Sequence, residues 1–443
     1  MSRNGNDAMS TRQRLVVVGN GMAGIRTLEE LLGLAPDLYD ITVFGAEPHP
    51  NYNRILLSPV LAGQQAFQDI VLNDLDWYRR HGIDLRLDCK AVRIDRARRM
   101  VHGADGSQAP YDRLLLATGS RPYMLPVPGR DLQGVIGFRD AADVGRMIAA
   151  AERGGEAVVI GGGLLGLEAA SGLAARGMRV SVVHLGQALL DRQLDVHAAQ
   201  LLQHSLQARG LRFLMGRQTQ ALLDDGNGHV RGVRLADGEE ISADLVVMAV
   251  GIRPDTGLAE QCGLRVDRGV VVSDTLQTYD PRIYAVGECA SHRGACYGLV
   301  APLFEQARVA ANHLALHGIG RYPGSVTSTR LKVTGVELYS AGDFAGGDGA
   351  EFIVLSDARA GIYKKLVVKD DRLVGACLYG DTDNSAWYFR LIREGQPIGA
   401  LRDALMLGED AAGCEPAQPE GAGPSGALAS FKEGAATGRR AIP

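Results

Sequence analysis

The sequence is poor in cysteine and has no long apolar segment. Its six cysteines are scattered over 443 residues and form no Cys-x-x-Cys pair. That pattern argues against a disulfide framework, a zinc ribbon and an iron–sulfur cluster. No apolar run is long enough to cross a bilayer, and residues 1–13 lack the apolar core of a secretory signal. We therefore expect a cytoplasmic protein without a metal centre or a membrane partner.

The chain also lacks a strong charge imbalance. A formal net charge of −4 gives no reason to expect binding to nucleic acid or to an anionic membrane. Hydrophobic residues make up 46% of the chain, as in soluble globular proteins, and 57 glycines indicate many tight turns. A chain of 443 residues is too long for one compact core, so two or three domains are expected.

The most informative feature present is a glycine fingerprint that occurs twice. Each copy follows a short apolar run that predicts a strand, at residues 14–18 and 157–160, and leads into a predicted helix. Such glycines let backbone N–H groups approach a pyrophosphate, whose charge the helix start stabilises. One copy alone is weak evidence, but two in the same context indicate that the protein holds two dinucleotides. The positions are Gly19, Gly21, Met22, Ala23 and Gly24 in the first copy and Gly161, Gly163, Leu165 and Gly166 in the second.

The first unit offers two further positions for nucleotide contact. Glu47 lies a little over twenty residues after the last fingerprint glycine, where an acid binds an adenosine ribose. A solvated loop carboxylate is the alternative interpretation. Residues 114–119 predict a buried strand that ends in a tight turn beside the nucleotide, at Ala117, Thr118 and Gly119.

The second unit is unusual at the end of its second strand. A strand at residues 245–251 closes the unit and places Gly251 at the nucleotide, while the strand at residues 179–183 ends in His184. A carboxylate there would favour NAD and an arginine would favour NADP. We give equal weight to two interpretations of His184, namely contact with the nucleotide and a simple strand-end residue that contacts nothing. Because no basic cluster is evident, we expect NADH, with NADPH as the other option.

The chain then returns to the first unit. A short apolar strand within residues 278–286 precedes Gly287 and Glu288, whose carboxylate can accept hydrogen bonds from a polyol. An acid at a helix start is the alternative. Residues 298–302, which include Val300, lead into a helix predicted over residues 303–316. The positive end of that helix could face a ring carbonyl that becomes negative on reduction.

The pattern changes after residue 325 to short alternating segments. They lie at residues 331–336, 351–356, 362–368 and 373–379 and predict a small antiparallel sheet, followed by a helix at residues 384–394. The predicted fold is α/β, with two Rossmann-like dinucleotide-binding domains, the second inserted in the first, and a small C-terminal α+β domain. The predicted boundaries are a disordered N-terminus at 1–13, the first nucleotide domain at 14–130 and 254–324, the second at 131–253, the C-terminal interface domain at 325–409 and a disordered tail at 410–443.

Further motifs carry a resemblance to a known family. They lie at residues 52–58, 117–119, 161–168, 249–254 and 285–290. With its inserted second unit, the chain resembles the two-dinucleotide flavoprotein reductases over nearly its whole length to residue 409. It is most similar to the N-terminal flavin module of the large subunit of assimilatory NAD(P)H nitrite reductases, through residues 161–170, 192–195, 287–290 and 379–382. The resemblance implies FAD in the first domain and NAD(P)H in the second.

The resemblance also implies catalytic roles for two charged residues. Arg54 would lie near the flavin, where a cation stabilises the reduced ring or the pyrophosphate, and a surface arginine is the alternative. Glu168 would approach the nicotinamide, and an acid that only complements the helix dipole is the alternative. No general acid or nucleophile is required, because a flavin accepts a hydride and releases its electrons one at a time.

Two differences from the relatives, both in the positions of cysteines, restrict the reactions that we expect of this chain. Thiol-dependent members place a reactive cysteine near the position where this chain has Ser58, and its first cysteine is Cys89. The nitrite reductase large subunits continue into cysteine-rich iron–sulfur and sirohaem regions, whereas here only Cys414 follows Cys377. We therefore expect neither a thiol relay nor nitrite reduction by this chain itself.

We predict an NADH-dependent FAD oxidoreductase that passes electrons to a separate acceptor protein in nitrate or nitrite assimilation. The acceptor would be an iron–sulfur protein or a component of a nitrate or sirohaem nitrite reductase. A ferredoxin or rubredoxin reductase of another pathway and a flavin-bound NADH sensor without sustained turnover are the alternatives. A homodimer is left open. Lys364 and Lys365 fit either a docking patch for the acceptor or, more simply, a solvated strand face.

Overall fold

The described part of the chain begins with a strand, a glycine turn and a helix, as the first fingerprint predicts. The structure, a computed structural model, describes residues 12–331, 333 and 335–410. The predicted disordered termini lie outside the described residues, except that residue 13 belongs to β1 and residues 12 and 410 are also described. Up to residue 122 the elements are β1 (Gln13–Val18), α1 (Met22–Leu34), β2 (Tyr39–Phe44), α2 (Leu57–Leu61), α3 (Leu75–Arg80), β3 (Asp84–Arg86), β4 (Ala91–Asp95), β5 (Met100–Gly103), β6 (Gln108–Pro110), β7 (Arg113–Leu116) and β8 (Ser120–Pro122).

The middle segment forms a second parallel sheet of its own. Its elements are β9 (Val135–Ile136), α4 (Ala141–Arg153), β10 (Glu156–Ile160), α5 (Leu164–Ala175), β11 (Arg179–His184), α6 (Val196–Gln207), β12 (Arg212–Met215), β13 (Thr219–Asp224), β14 (Val230–Leu235), β15 (Glu240–Ser242) and β16 (Leu245–Met248). The five strands of the parallel sheet have the order β12-β11-β10-β16-β9, and a three-stranded antiparallel sheet, β13-β14-β15, is attached to it.

The following segment returns to the first sheet. It contains β17 (Ile252–Pro254), α7 (Gly257–Gln261), β18 (Val270–Val272), β19 (Ile283–Ala285), β20 (Ala290–His292) and α8 (Val300–Leu314). Strand β19 pairs in parallel with β7 and completes the sheet order β19-β7-β1-β2-β3, while α8 packs against α1. The second nucleotide unit is therefore inserted in the first.

The last described segment is an antiparallel sheet with one helix. The strands are β21 (Ser328–Arg330), β22 (Leu338–Gly342), β23 (Glu351–Asp357), β24 (Ile362–Lys369) and β25 (Arg372–Tyr379), in the order β21-β22-β25-β24-β23, and α9 (Ser385–Glu394) follows. The prediction of a strand at residues 331–336 is wrong, because the described residues of that segment form the connection between β21 and β22. Their apolar side chains, including Val333 and Val336, pack in the core of the second nucleotide unit, and Gly335 has a φ of +70°.

Burial explains why the sequence located the central strands. Strands β7, β10 and β16 bury nearly all of their side chains, and β1 buries its last four. Parallel strands covered on both faces have continuous apolar runs rather than alternation. None of the helices in the described part of the chain is long and apolar enough to span a membrane.

Candidate functional site

The two glycine fingerprints have the same geometry. Gly19 has a φ of +110°, and a Cβ there would lie 2.2 Å from the carbonyl oxygen of Ala117. Gly161 has a φ of +120°, and a Cβ there would lie 2.3 Å from the carbonyl oxygen of Ala249. Only glycine permits this backbone conformation together with such a close approach to the neighbouring strand end.

The last glycine of each fingerprint lets the helix pack closely on its turn. A Cβ on Gly24 would lie 2.8 Å from the carbonyl oxygen of Gly19, and a Cβ on Gly166 would lie 2.0 Å from that of Gly161. Any side chain at either position would push the helix away from the strand. The closeness of helix and turn therefore depends on both glycines.

The middle glycine of each fingerprint faces open space. Gly21 and Gly163 are the N-caps of α1 and α5, and a Cβ on either would meet no atom within 4 Å. No side chain caps either helix, and neither first turn, which includes Met22, Ala23 and Leu165, contains an acid. Uncapped N–H groups and the positive end of the helix dipole attract an anion. Both turns thus fit a dinucleotide pyrophosphate.

A cavity of ≈ 400 Å³ lies beside the first fingerprint. Its lining includes Val18 and Phe44, the last residues of β1 and β2, together with Gly19 and Thr118. Ligands of open α/β sheets bind at the carboxyl ends of the strands. The cavity is therefore in the position expected for part of a nucleotide.

Glu47 and Arg54, which the sequence analysis proposed separately, form an ion pair. The hydroxyl of Tyr52 donates to Oε2 of Glu47 at 2.6 Å, and the Arg54 guanidinium lies 4.9 Å from the centroid of the Tyr52 ring. Burial raises the pKa of Tyr52, so the phenol stays a hydrogen-bond donor. The side chain of Arg54 is 25% exposed and that of Glu47 is 27% exposed, which leaves both within reach of a ligand. Contact of Glu47 with a ribose and of Arg54 with a flavin stays a prediction.

Glu288 is held by a residue that the sequence analysis missed. Arg139 forms an ion pair with Glu288, and the hydroxyl of Ser120 donates to Glu288 Oε2 at 2.8 Å. Nη1 of Arg54 donates to the Arg139 carbonyl oxygen at 3.4 Å, so the two ion pairs adjoin each other. Arg139 belongs to no recognisable motif. Its only signal is its place directly before Asp140, the N-cap of α4.

The strand end at Ala117, Thr118 and Gly119 lies where the chain crosses between the two nucleotide units. The hydroxyl of Thr118 donates to the carbonyl oxygen of Asp255 at 2.6 Å, and the Asp255 N–H donates to the Gly119 carbonyl oxygen at 2.9 Å. Gly251, with a φ of +120°, begins the returning connection. Strands β8 and β17 pair along this crossing.

Helix α8 begins at Val300, earlier than the start predicted at residue 303. Its N-cap, Leu299, offers no side-chain cap, and its first turn contains no acid. The positive helix end is therefore not neutralised by a side chain of its own first turn, and its contact with a flavin ring stays a prediction. Gly287 joins α1 to α8, because a Cβ there would lie 2.9 Å from Cβ of Ala23 and its N–H donates to Oε1 of Gln306 at 2.8 Å.

Glu168 meets Ser58 at the contact between the two nucleotide units. The hydroxyl of Ser58, on α2, donates to Oε2 of Glu168, on α5, at 2.6 Å. The two residues are 4% and 8% exposed, and both line a cavity of ≈ 230 Å³. A buried carboxylate held from the opposite domain is more than a surface acid at a helix start.

His184 is turned toward the second fingerprint. Its Nδ1 accepts a hydrogen bond from the N–H of Gly162 at 3.0 Å. The imidazole therefore contacts the glycine loop and is not directed outward from the strand end. Direct contact of His184 with a nucleotide stays a prediction. The hydrogen bond shows that the ring also supports the backbone of the glycine loop.

Comparison with known families fits this arrangement of two nucleotide sites. Residues 13–313 match the model of the pyridine nucleotide-disulphide oxidoreductases. The chain belongs to the pyridine nucleotide-disulphide oxidoreductase family. Residues 328–396 match the rubredoxin NAD+ reductase C-terminal domain. Family membership confirms the predicted fold class and an oxidoreductase that uses FAD and NAD(P)H. Which domain holds which cofactor stays a prediction.

Relatives of the chain include a nitrite reductase and a subunit of an assimilatory nitrate reductase. The chain is 51% identical over 397 residues to a nitrite reductase (NAD(P)H) of Bacillus subtilis (strain 168) and 46% identical over 371 residues to an assimilatory nitrate reductase electron transfer subunit of the same organism. These matches cover 89% and 84% of this chain but 49% and 48% of the relatives, so the chain spans about half the length of the curated relatives it matches. The structure of the covalent putidaredoxin reductase–putidaredoxin complex matches with a TM-score of 0.80 at 26% identity, over 90% of this chain and 96% of that chain.

The cysteine next to Glu288 does not have the surroundings of a reactive thiol. Cys289, next to Glu288, is fully buried, and its Sγ faces the carbonyl oxygen of Val286 at 3.3 Å. Burial raises the pKa of the Cys289 thiol, which disfavours the reactive thiolate. Ser58, which stands near the position of the reactive cysteine in thiol-dependent members, donates its hydroxyl hydrogen to Glu168.

Neither interpretation of the lysine pair on β24 is correct. Lys364 and Lys365 are only 6% and 9% exposed. Lys364 forms an ion pair with Asp381 at 2.5 Å, and Lys365 lies 3.6 Å from Asp195 at the start of α6. The two lysines therefore belong to internal contacts and form neither a docking patch nor a solvated face.

Proposed function

We propose that this chain takes a hydride from NADH onto FAD and passes the electrons to a separate acceptor protein in nitrate or nitrite assimilation. The observation that carries the proposal is the pair of uncapped fingerprint helices, α1 and α5, whose units meet at Glu168 and Ser58. The names of the two Bacillus subtilis relatives support the assimilatory pathway. FAD, when bound, accepts two electrons with the hydride and releases them one at a time.

The chain's own residues bind and orient the two cofactors. In the proposal, the turn at Gly21 holds the FAD pyrophosphate and the turn at Gly163 holds that of NADH. Arg54 supplies a cation beside the flavin, and Glu288 accepts hydrogen bonds from its polyol chain. The start of α8 at Val300 stabilises negative charge on the ring by its dipole.

Glu168 orients the nicotinamide in this proposal. Ser58 donates to one carboxylate oxygen at 2.6 Å and so fixes the rotamer of the acid. Both residues are buried, so the contact is protected from competing water. Ser58 acts as a positioning residue here, because it acts through Glu168.

The electrons leave through another protein in this proposal. Within the described part of the chain, no group of three or more His, Cys, Asp or Glu side chains could hold a metal ion. Cys414, which lies outside the described residues, adds one isolated cysteine. An iron–sulfur protein or a component of a nitrate or sirohaem nitrite reductase is the acceptor that we propose. The cytoplasm, where NADH is generated, is the proposed location.

A ferredoxin or rubredoxin reductase of another pathway is the second candidate. The match of residues 328–396 to the rubredoxin NAD+ reductase C-terminal domain favours it. Its NADH half-reaction is the same, and only the acceptor differs.

A screen of electron acceptors tests the proposal. The FAD-loaded full chain is mixed with NADH and with ferricyanide, a rubredoxin, a ferredoxin or a nitrate or nitrite reductase component. We expect sustained NADH oxidation with ferricyanide and the fastest protein reduction with the assimilatory component. Fastest reduction of rubredoxin would instead favour the second candidate. Absence of NADH oxidation even with ferricyanide would contradict both reductase candidates and favour a flavin-bound NADH sensor.

A further inference from the structure

The short helix α2 of the first nucleotide unit lies along α5 of the second. Three contacts hold it there, and on the side of α5 they come from residues four positions apart, Glu168, Gly172 and the C-cap Arg176. Residues with this spacing lie on one face of a helix. One face of α5 is therefore shaped to receive α2.

Gly172 makes the close approach of the two helices possible. A Cβ on Gly172 would lie 2.7 Å from Cγ of Leu61 and 2.8 Å from its Cδ2. Both residues are buried. Because alanine stabilises the interior of a helix more than glycine does, the glycine at this position serves the contact with α2 rather than α5 itself.

Arg176 holds the last turn of α2. Its Nε donates to the carbonyl oxygen of Leu61, and its Nη2 donates to that of Val60 at 3.2 Å. The last carbonyl groups of a helix have no partner within the helix, and a helix of five residues is marginal without outside contacts. A guanidinium from the second unit thus completes the end of α2.

The same short helix carries Ser58, which holds Glu168. The hydroxyl of Ser58 donates to Oε2 of Glu168 at 2.6 Å. A cavity of ≈ 230 Å³ interrupts the packing beside this contact, with Pro59 and Ala62 of α2 in its lining. The position of the Ser58 hydroxyl therefore depends on the other two attachments of α2.

We propose that Gly172 and Arg176 are positioning residues for hydride transfer, which act by keeping Ser58 on α2 against Glu168. The assignment rests on the proposed function, in which Glu168 orients the nicotinamide. Both residues act through the position of α2 and not through contact with a cofactor. The far end of α5 thereby sets the geometry at its start.

A double-mutant cycle tests the role of Arg176. The rate of flavin reduction by NADH is measured by anaerobic stopped-flow absorbance on the FAD-loaded full chain. Arg176→Ala and Ser58→Ala should each lower this rate by about threefold, and the double variant should also be about threefold slower, because both substitutions remove the same contact. Arg176→Lys keeps one donor and should recover part of the rate. A loss of about ninefold in the double variant, the product of two independent effects, would overturn the assignment.

The matched control for Arg176 is Arg153→Ala. Arg153 ends α4 in the same unit, and its Nη1 donates to the carbonyl oxygen of Ala149 within its own helix at 3.0 Å. This variant should reduce its flavin at the wild-type rate. A loss equal to that of Arg176→Ala would show that any arginine at a helix end in this unit has the same effect, which would also contradict the assignment.

Gly172→Ala tests the same contact from its middle. The added methyl group favours α5 but collides with Leu61, so the rate of flavin reduction should fall by about threefold or more. Gly145→Ala on α4 is the matched control, because a Cβ on Gly145 would meet no atom within 4 Å. Equal rates in the two variants would remove Gly172 from the proposal.

Amide hydrogen exchange tests the attachment of α2 apart from the reaction. The N–H groups of residues 62–64 donate to carbonyl oxygens of α2. Their exchange should become about fivefold faster in Arg176→Ala and stay unchanged in Arg153→Ala, and unchanged exchange in both would refute the attachment. If Arg176→Ala does not fold, Arg176→Lys takes its place in both measurements. A wild-type flavin that NADH does not reduce would refute the proposed function, and the exchange would then decide alone whether Arg176 holds α2.

Discussion

At the scale of single residues, the hydrogen bond from Ser58 holds Glu168, the acid that we assign to the nicotinamide. Glu168→Gln keeps the size of the side chain and an oxygen for Ser58 but removes the negative charge. We expect unchanged FAD content and a rate of flavin reduction by NADH that falls by about tenfold, measured by anaerobic stopped-flow absorbance. Ser58→Ala should have a smaller effect, since the carboxylate remains. A Glu168→Gln variant that reduces its flavin at the wild-type rate would remove Glu168 from the mechanism.

The ion pair between Arg14 and Asp112 makes part of the stability depend on pH. The hydrogen bond from Arg14 lowers the pKa of Asp112 to about 2. A lowered carboxyl pKa stabilises the fold above the ordinary value, and this stabilisation disappears as the pH falls toward the folded-state pKa. Because the side chains are 48% and 29% exposed, the contribution is about 1 kcal/mol or less.

The corresponding test compares Asp112→Asn with wild type in urea unfolding. The variant should be less stable at neutral pH, and the difference should shrink between about pH 4 and about pH 2. A difference that stays constant across this range would show that the charge of Asp112 is not its cause.

At the scale of elements, the matched turns before α1 and α5 allow one cofactor to be removed at a time. A Cβ on Gly21 or Gly163 meets no protein atom within 4 Å, and both residues have extended backbone angles that other residues adopt. Gly21→Val and Gly163→Val should therefore fold normally while filling the pyrophosphate space.

These two variants should have opposite phenotypes. We expect Gly21→Val to be purified without flavin, and Gly163→Val to retain flavin while its KM for NADH rises by about tenfold or more. Flavin absorbance and NADH–ferricyanide kinetics measure the two effects. If Gly163→Val lost its flavin and Gly21→Val kept it, the assignment of cofactors to domains would have to be exchanged.

The elements that the sequence predicted well are those whose burial leaves a simple pattern. Strands β1 and β10 end in apolar runs, at residues 15–18 and 157–160, and each run is followed at once by a glycine, Gly19 or Gly161, whose close approach to a neighbouring backbone excludes a side chain. Residues 331–336 have the same alternation as a strand but obtain their burial from the neighbouring domain. Arg139 could not be predicted, because its partner Glu288 is distant in sequence and contacts it only in the folded chain. Lys364 and Lys365 were misjudged since their partners come from other segments.

At the scale of the whole molecule, one acid attaches the C-terminal domain to the second nucleotide unit. Asp195 caps α6 by accepting from the Ala198 N–H at 3.0 Å, accepts from the Tyr363 hydroxyl at 2.6 Å and lies 3.6 Å from Nζ of Lys365. Burial raises the pKa of Tyr363, so the phenol remains a donor. The same carboxylate therefore serves the helix and the domain contact.

Asp195→Ala should destabilise the protein by about 3 kcal/mol. The substitution removes a helix cap and leaves the ammonium group of Lys365, a buried residue, without its carboxylate. Thermal unfolding measures the loss, and Asp195→Ser, which keeps a cap, should recover part of it. Equal stability of Asp195→Ala and wild type would show that this contact does not hold the domains together.

The most direct test of the whole account is an anaerobic titration of the FAD-loaded full chain with NADH, followed by a one-electron acceptor. We predict that the flavin is bleached by about one equivalent of NADH and that about two equivalents of acceptor are then reduced as the yellow colour returns. A protein that cannot be loaded with flavin, or a flavin that stays oxidised under an excess of both NADH and NADPH, would contradict the account.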